Sequence, residues 1–234
     1  MRLKAIPVYT FVVAALLACA PSFGATTERP GTSAPALAPI DQAFLAARDA
    51  VKNGDRAKLA QLAPQLASHP LAAYVEYWQL VPRLRSDPAI NVQVEEFLAR
   101  YPGSYIGDRL RLDWTFALAD RGDFSGFDRE AALLVWNTDD NQFRCYSLLS
   151  RYRNAYGAQS EVLARDARLL LANTRDSAGE GCLALTEALL ADGRISVWER
   201  VRALVEQNQL STAKRVGQRA LDAQGKSVDQ KLLA

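Results

Sequence analysis

From Ile40 onward the chain carries a single pattern: apolar residues return every third or fourth position, and short polar turn signals interrupt them. The pattern predicts a helix over Asp41–Lys52, with Phe44, Leu45, Arg48 and Val51 on related faces. Asn53-Gly54-Asp55 ends it and caps a second helix in which Leu59, Leu62 and Leu66 line up, and Pro64 bends or divides that helix. After the turn at His69-Pro70, Leu71–Arg85 carries the stripe Leu71, Tyr74, Val75, Trp78 and Val81. Ser86-Asp87-Pro88 caps Ala89–Arg100, and Tyr101-Pro102-Gly103-Ser104 turns the chain into Tyr105–Ala119. Asp123 opens a helix expected to end near Trp136, and Thr138-Asp139-Asp140 caps one running to Ala155. Further helices are expected over Gln159–Asn173, Gly181–Ala191, Val197–Gln207 behind an N-cap at Ser196, and Leu210–Ala223.

No stretch alternates apolar and polar residues long enough to argue for a strand. The fold class is all-α, with about eleven helices joined by tight loops. Turn signals recur every 15 to 20 residues or so, and two helices with their turns fill about 31–38 residues, the period of helical-hairpin arrays. A hairpin of this kind cannot bury its apolar face alone and must stack on its neighbours, which predicts a solenoid or ring-like superhelix. The side chains do not repeat as a standard tetratricopeptide array does. Ser227 to Ala234 reads as the first turns of another helix whose apolar face has only begun, so the superhelix is expected to be cut short.

The start of the chain breaks the pattern. Arg2 and Lys4 precede a run from Ala5 to Ala20, apolar apart from Thr10 and too short for a comfortable membrane span. Ser22-Phe23-Gly24 puts small residues before a cleavage point at Ala25, so residues 1–24 read as a secretory signal peptide. Leu16-Leu17-Ala18-Cys19 is close to a bacterial lipoprotein box, and lipidation at Cys19 is the alternative. Residues 25–39 form a Pro-, Thr-, Ser- and Ala-rich flexible leader, and 40–234 the helical domain. No transmembrane span is expected in the mature chain.

Export changes the electrostatics. The net charge of the whole chain is +2, and loss of Arg2 and Lys4 brings it to zero. A neutral chain has no long-range field to collect phosphate backbones, which excludes nucleic acid as a partner. Arg109-Leu110-Arg111 and Arg151-Tyr152-Arg153 read as solvated helix edges. Once Cys19 has left, Cys145 and Cys182 remain, each inside a predicted helix and about one hairpin period apart. In an exported chain the pair reads as one disulfide, with two buried free thiols as the alternative. Two cysteines and one distant histidine do not make a metal-ligand set.

Candidate chemistry is sparse. His69 is the only histidine, and no serine or cysteine nucleophile can be placed beside it, so it reads as a turn residue. Glu95-Glu96 and Asp139-Asp140 are adjacent carboxylates, which diverge on a helix instead of converging on a substrate. Asp139 or Asp140 is better read as an N-cap. Trp78, Trp114, Trp136 and Trp198 could stack on sugar rings, but at helical spacing among Leu and Val they read as core. Tyr74 and Trp78 share a face with Leu71 and Val75 and form the seam between hairpins, while Tyr77 faces elsewhere and is expected to be exposed. No glycine loop cradles a phosphate, no cofactor is expected, and no catalytic residue is assigned.

The stretches Asn53–Leu66, His69-Pro70-Leu71 and Tyr74–Trp78 resemble the first hairpins of the soluble lytic transglycosylases of Gram-negative bacteria. So do Phe97–Ser104, Asp108-Arg109-Leu110-Arg111 and Trp114. The resemblance runs from about residue 40 to the end and rests on the order and spacing of these segments, not on one motif. It implies a long helical superhelix ahead of a lysozyme-like domain, in which a glutamic acid protonates the leaving oxygen and the muramyl 6-hydroxyl closes a 1,6-anhydro ring. The catalytic signatures of that domain, a Glu-Ser pair, Gly-Leu-Met-Gln and Ala-Tyr-Asn-Ala-Gly, do not occur here, and Asn154-Ala155-Tyr156-Gly157 is not the last of them. The resemblance therefore implies the non-catalytic part of a periplasmic enzyme of murein turnover, truncated before its catalytic domain. Its partners would be peptidoglycan glycan strands, with other cell-wall proteins also admitted. The rival expectation is a stand-alone helical-repeat adaptor that binds a protein in the periplasm.

Overall fold

A computed structural model of the chain describes residues 37–136, 139–173 and 179–222. The expected signal peptide, Cys19, most of the leader, Thr138 and the terminal Ser227–Ala234 segment lie outside the described residues. The chain divides into a unit of residues 1–37 and a unit of residues 38–234, and the described helices all belong to the second.

Among the described residues the regular structure is entirely helical, with eleven α-helices and no strand. They are α1 (Pro39–Lys52), α2 (Arg56–Leu62), α3 (Ala72–Leu80), α4 (Asn91–Arg100), α5 (Tyr105–Asp120) and α6 (Phe124–Ala131). The second half holds α7 (Asn141–Arg153), α8 (Ala158–Asn173), α9 (Glu180–Ala191), α10 (Val197–Glu206) and α11 (Leu210–Asp222). Their starts follow local chemistry. Asp55, Ser104, Asp123 and Asp140 each accept backbone N–H groups of the helix they precede, satisfying donors that a first turn leaves unpaired. Ser196 occupies the N-cap of α10 without making such a bond.

Prolines shape two helices. Beyond Leu62 the chain tightens into a 3-10 turn over Ala63–Leu66, so Pro64 divides the second helix. The helix expected over Leu71–Arg85 is α only to Leu80 and continues as 3-10 over Val81–Arg83, because Pro82 has no N–H to return to the preceding turn. The helix expected to reach Trp136 ends at Ala131, because the backbone after it is captured by a carboxylate of another helix.

Neighbours in sequence pack together, α1 with α2, α5 with α6, α7 with α8 and α10 with α11, and α7 also packs on α9 across α8 in sequence. The core falls into three clusters. Ala47, Ala50, Leu59, Leu66 and Val75 close the first hairpin against Phe44 and Trp78. A large central cluster runs from Leu80 to Leu189 and includes Phe97, Trp114 and Phe127. Leu183, Leu204, Ala213 and Val216 form the third, under α10 and α11. Helix α5 is the axis of the central cluster, with buried residues on every side of it from Ile106 to Ala119, and it touches α3, α4, α6, α7 and α9. Cys145 on α7 and Cys182 on α9 are fully buried and joined as a disulfide.

Candidate functional site

His69 lies in the turn before α3, and its ring is buried. It stacks on Phe44 at 4.6 Å, its Nδ1 accepts the Leu71 N–H at 3.0 Å, and its Nε2 lies 3.1 Å from Asp41 Oδ1. With Nδ1 accepting, the neutral ring carries its proton on Nε2 and donates to Asp41. These neighbours are a ring, an amide and a carboxylate, with no serine or cysteine among them, so the histidine pins the turn to α1. Trp78 completes the seam, 5.5 Å from Phe44 and 6.4 Å from Tyr74.

Tyr77 does not face away as the spacing suggested. Its hydroxyl donates to Asp113 Oδ2 on α5 at 2.6 Å, and its ring packs against the central cluster. Arg109 reaches the other carboxylate oxygen at 3.2 Å. Burial is the main cause that raises the Asp113 carboxyl above its ordinary range, against Tyr77 and Arg109, which pull it down. Burial, then the Asp113 acceptor, pushes the Tyr77 phenol up to about 12. A parallel joint follows one helix on: Tyr146 of α7 donates to Asp120 of α5, which Arg85 also contacts at 2.8 Å. A third links Tyr152 of α7 to Asp192 after α9 at 2.7 Å. Asp113 holds a proton more readily than an exposed aspartate, yet Tyr77 and Arg109 both engage it, and the group works as a joint between helices.

An open, polar cleft of about 340 Å³ lies between α3 and α4. Glu76, Gln79 and Arg83 form one wall, and Gln93, Glu96 and Arg100 the other. Its cations are oriented by their partners. Arg100 Nη2 binds Glu76 at 2.6 Å, and the Tyr101 hydroxyl donates to the same carboxylate at 3.1 Å. Arg83 binds Asp87 at 2.8 Å and the Gln93 side-chain oxygen at 3.1 Å. Of the Glu95-Glu96 pair, Glu96 lines the cleft and Glu95 does not. Amide groups, carboxylates and guanidinium groups facing one another suit a ligand with many hydroxyl and amide groups, since they supply donors and acceptors on both sides.

The four tryptophans separate. Trp114 is buried and donates to Asn91 Oδ1 at 3.0 Å, and Trp78 is half-buried in the seam. Trp136 and Trp198, also read as core, are 64% and 63% exposed. Trp198 lies on an outer face of α10. Trp136 lies beyond the end of α6, where Asp108 of α5 accepts the backbone N–H groups of Val135 at 2.8 Å and Trp136 at 3.0 Å. Asp140 caps α7 through the N–H groups of Gln142 and Phe143.

Sequence reasoning missed the Tyr77–Asp113 joint, the Asp108 clamp and the burial of Arg200. Arg200 donates to the Leu171 carbonyl near the end of α8, and burial draws its guanidinium down to about 10. An aspartate one turn into a helix, with no cap to make, is the signal that could have pointed to Asp108. Among the described residues no three His, Cys, Asp or Glu side chains converge as a metal site, and no helix is long and apolar enough to cross a membrane. No protein-family model matches this chain, nor does any curated protein or solved structure.

Proposed function

We propose that this chain is the non-catalytic helical region of a periplasmic lytic transglycosylase, and that it holds peptidoglycan glycan strands for a catalytic domain elsewhere. The observation that carries this is the cleft between α3 and α4. Two of the segments that resemble the family meet in it: Glu76 from Tyr74–Trp78 is ion-paired to Arg100 from Phe97–Ser104 and accepts from Tyr101 of the same segment. Two other resembling segments supply joints around the cleft's helices: His69 ties the turn before α3 to Asp41 of α1, and Trp114 of α5 is bonded to Asn91 of α4. The disulfide between α7 and α9 agrees with a chain matured in an oxidising compartment.

The chain by itself is a binder. Cleavage of a glycoside needs a carboxylic acid held within reach of the leaving oxygen and kept protonated. In the cleft, Glu76 is taken up by Arg100 and Tyr101, Glu96 is exposed to solvent, and Asp113, whose proton affinity burial raises, is not among the cleft's lining residues. The purified chain should therefore co-sediment with murein sacculi and release no 1,6-anhydromuropeptides on chromatography. Persistent anhydro products from a clean preparation, or no co-sedimentation, would overturn the reading.

A further inference from the structure

We propose that Trp136, with the small pocket beside it, is a stacking site for a neutral pyranose sugar that carries a compact substituent such as an acetamido group. The sugar class rests on the glycan-holding reading above. The site is separate from the α3–α4 cleft.

The segment after α6 is apolar, and it is displayed. Leu133, Val135 and Trp136 are 55%, 66% and 64% exposed. Single exposed apolar residues are ordinary, but three within four positions form a patch. The backbone under the patch is fixed. Asp108 is 6% exposed and holds the N–H groups of both Val135 and Trp136. A buried carboxylate is tolerated only when it is hydrogen-bonded, and here two of its bonds go to the segment that carries the indole. With the backbone at the indole already held, less freedom remains to be lost when a ligand binds. A flat indole face offers apolar area and a negative π surface to the polarised C–H bonds on one face of a pyranose.

The pocket beside the ring sets the ligand's charge and size. Its volume is about 80 Å³, and its walls include Tyr101, Ser104, Gly107 and Arg111. Roughly two to three waters would fill such a space, so it admits a substituent and not a sugar ring. Its charges are already answered: Arg111 pairs with Glu130, and Asp108 accepts backbone amides. These pairings suit the pocket to a neutral group, and a small amide fits the mix of polar and apolar wall.

Trp198 supplies the control. It is as exposed as Trp136 but is not among the residues lining this pocket. The experiment is a titration of the chain with N-acetylglucosamine tetramer and with cellotetraose, followed by tryptophan fluorescence, alongside sacculus co-sedimentation. The expected result is a saturable change with the N-acetylated tetramer that Trp136→Ala weakens at least about tenfold and Trp198→Ala leaves unchanged, with both variants melting like the parent chain. Equal affinities of the two variants, or no binding of the N-acetylated tetramer by the parent, would overturn the site. Equal affinity for cellotetraose would overturn the acetamido pocket. Sacculus binding that survives Trp136→Ala in full, with no tetramer bound, defeats this inference and leaves the α3–α4 reading standing. Loss of sacculus binding in the parent chain defeats that reading.

Discussion

The Tyr77 hydroxyl stands 2.6 Å from the Asp113 carboxylate, and this bond ties α3 to α5 across 36 residues of chain. It sets how stability responds to alkali. The folded phenol titrates at about 12, against 10.0 for an unperturbed tyrosine. The contribution of Tyr77 is complete below pH 10, where both states keep the proton, and it is lost as pH rises through 10 toward 12. Tyr77→Phe should therefore weaken the fold at pH 8, where Asp113 loses a donor, by about 1–3 kcal/mol. It should also flatten the decline above pH 10. Urea midpoints at both pH values test this, and parallel declines would show that the phenol is not held as described.

Reduction of the Cys145–Cys182 bond should lower stability by about 3–4 kcal/mol, the typical gain from closing a loop of this length. Both cysteines are buried, so the bond should resist mild reductant until the chain is unfolded. Urea melts with and without strong reductant would measure the difference, and coincident curves would contradict it.

Gly181→Ala should loosen the same region. A Cβ at Gly181 would come within 2.7 Å of the Tyr146 ring and 2.8 Å of the Gln142 carbonyl. The carbonyl cannot move without shifting α7, so a cost of about 1–3 kcal/mol is expected. A melting temperature equal to the parent's would place α7 and α9 further apart than described.

Trp114→Ala should cost about 3–5 kcal/mol, since the residue is buried and its indole N–H is bonded. Trp198→Ala should stay within about 0.5 kcal/mol. Denaturant melts that rank the two alike would mean that one tryptophan has been misplaced.

His69→Phe keeps a ring to stack on Phe44 but leaves the Leu71 N–H and the Asp41 carboxylate without their partner. A loss of about 1–2 kcal/mol is expected, with sacculus binding retained at temperatures where the chain is folded. A binding loss without a stability loss would assign the histidine a contact with ligand.

The helices were legible because their signals are local. A period near 3.6 residues fixes the element, and an aspartate or serine fixes its start, as at Asp55, Ser104, Asp123 and Asp140. The Cys145–Cys182 pairing was legible as an even pair in a chain read as exported, at a spacing of about one hairpin period, with two free thiols as the alternative. The faces of individual side chains were not, because a periodic pattern does not say what stands opposite. Tyr77 and Trp78 are neighbours on α3, yet one joins the central cluster through Asp113 and the other the first hairpin. Trp136 and Trp198 are exposed for the same reason: Leu or Val stands near all four tryptophans, but only tertiary neighbours decide that Trp78 and Trp114 are covered and these two are not. The Asp108 clamp spans 27 residues and overrides a helical pattern that local propensity would have continued.

The covalent link between α7 and α9 leaves α8, at Ala158–Asn173, inside a closed ring of chain. A single protease cut anywhere in α8 would break the backbone without separating the halves. On a gel such a nicked molecule would run as one band until reductant is added and then as two, so the intactness of this protein can be judged only under reducing conditions.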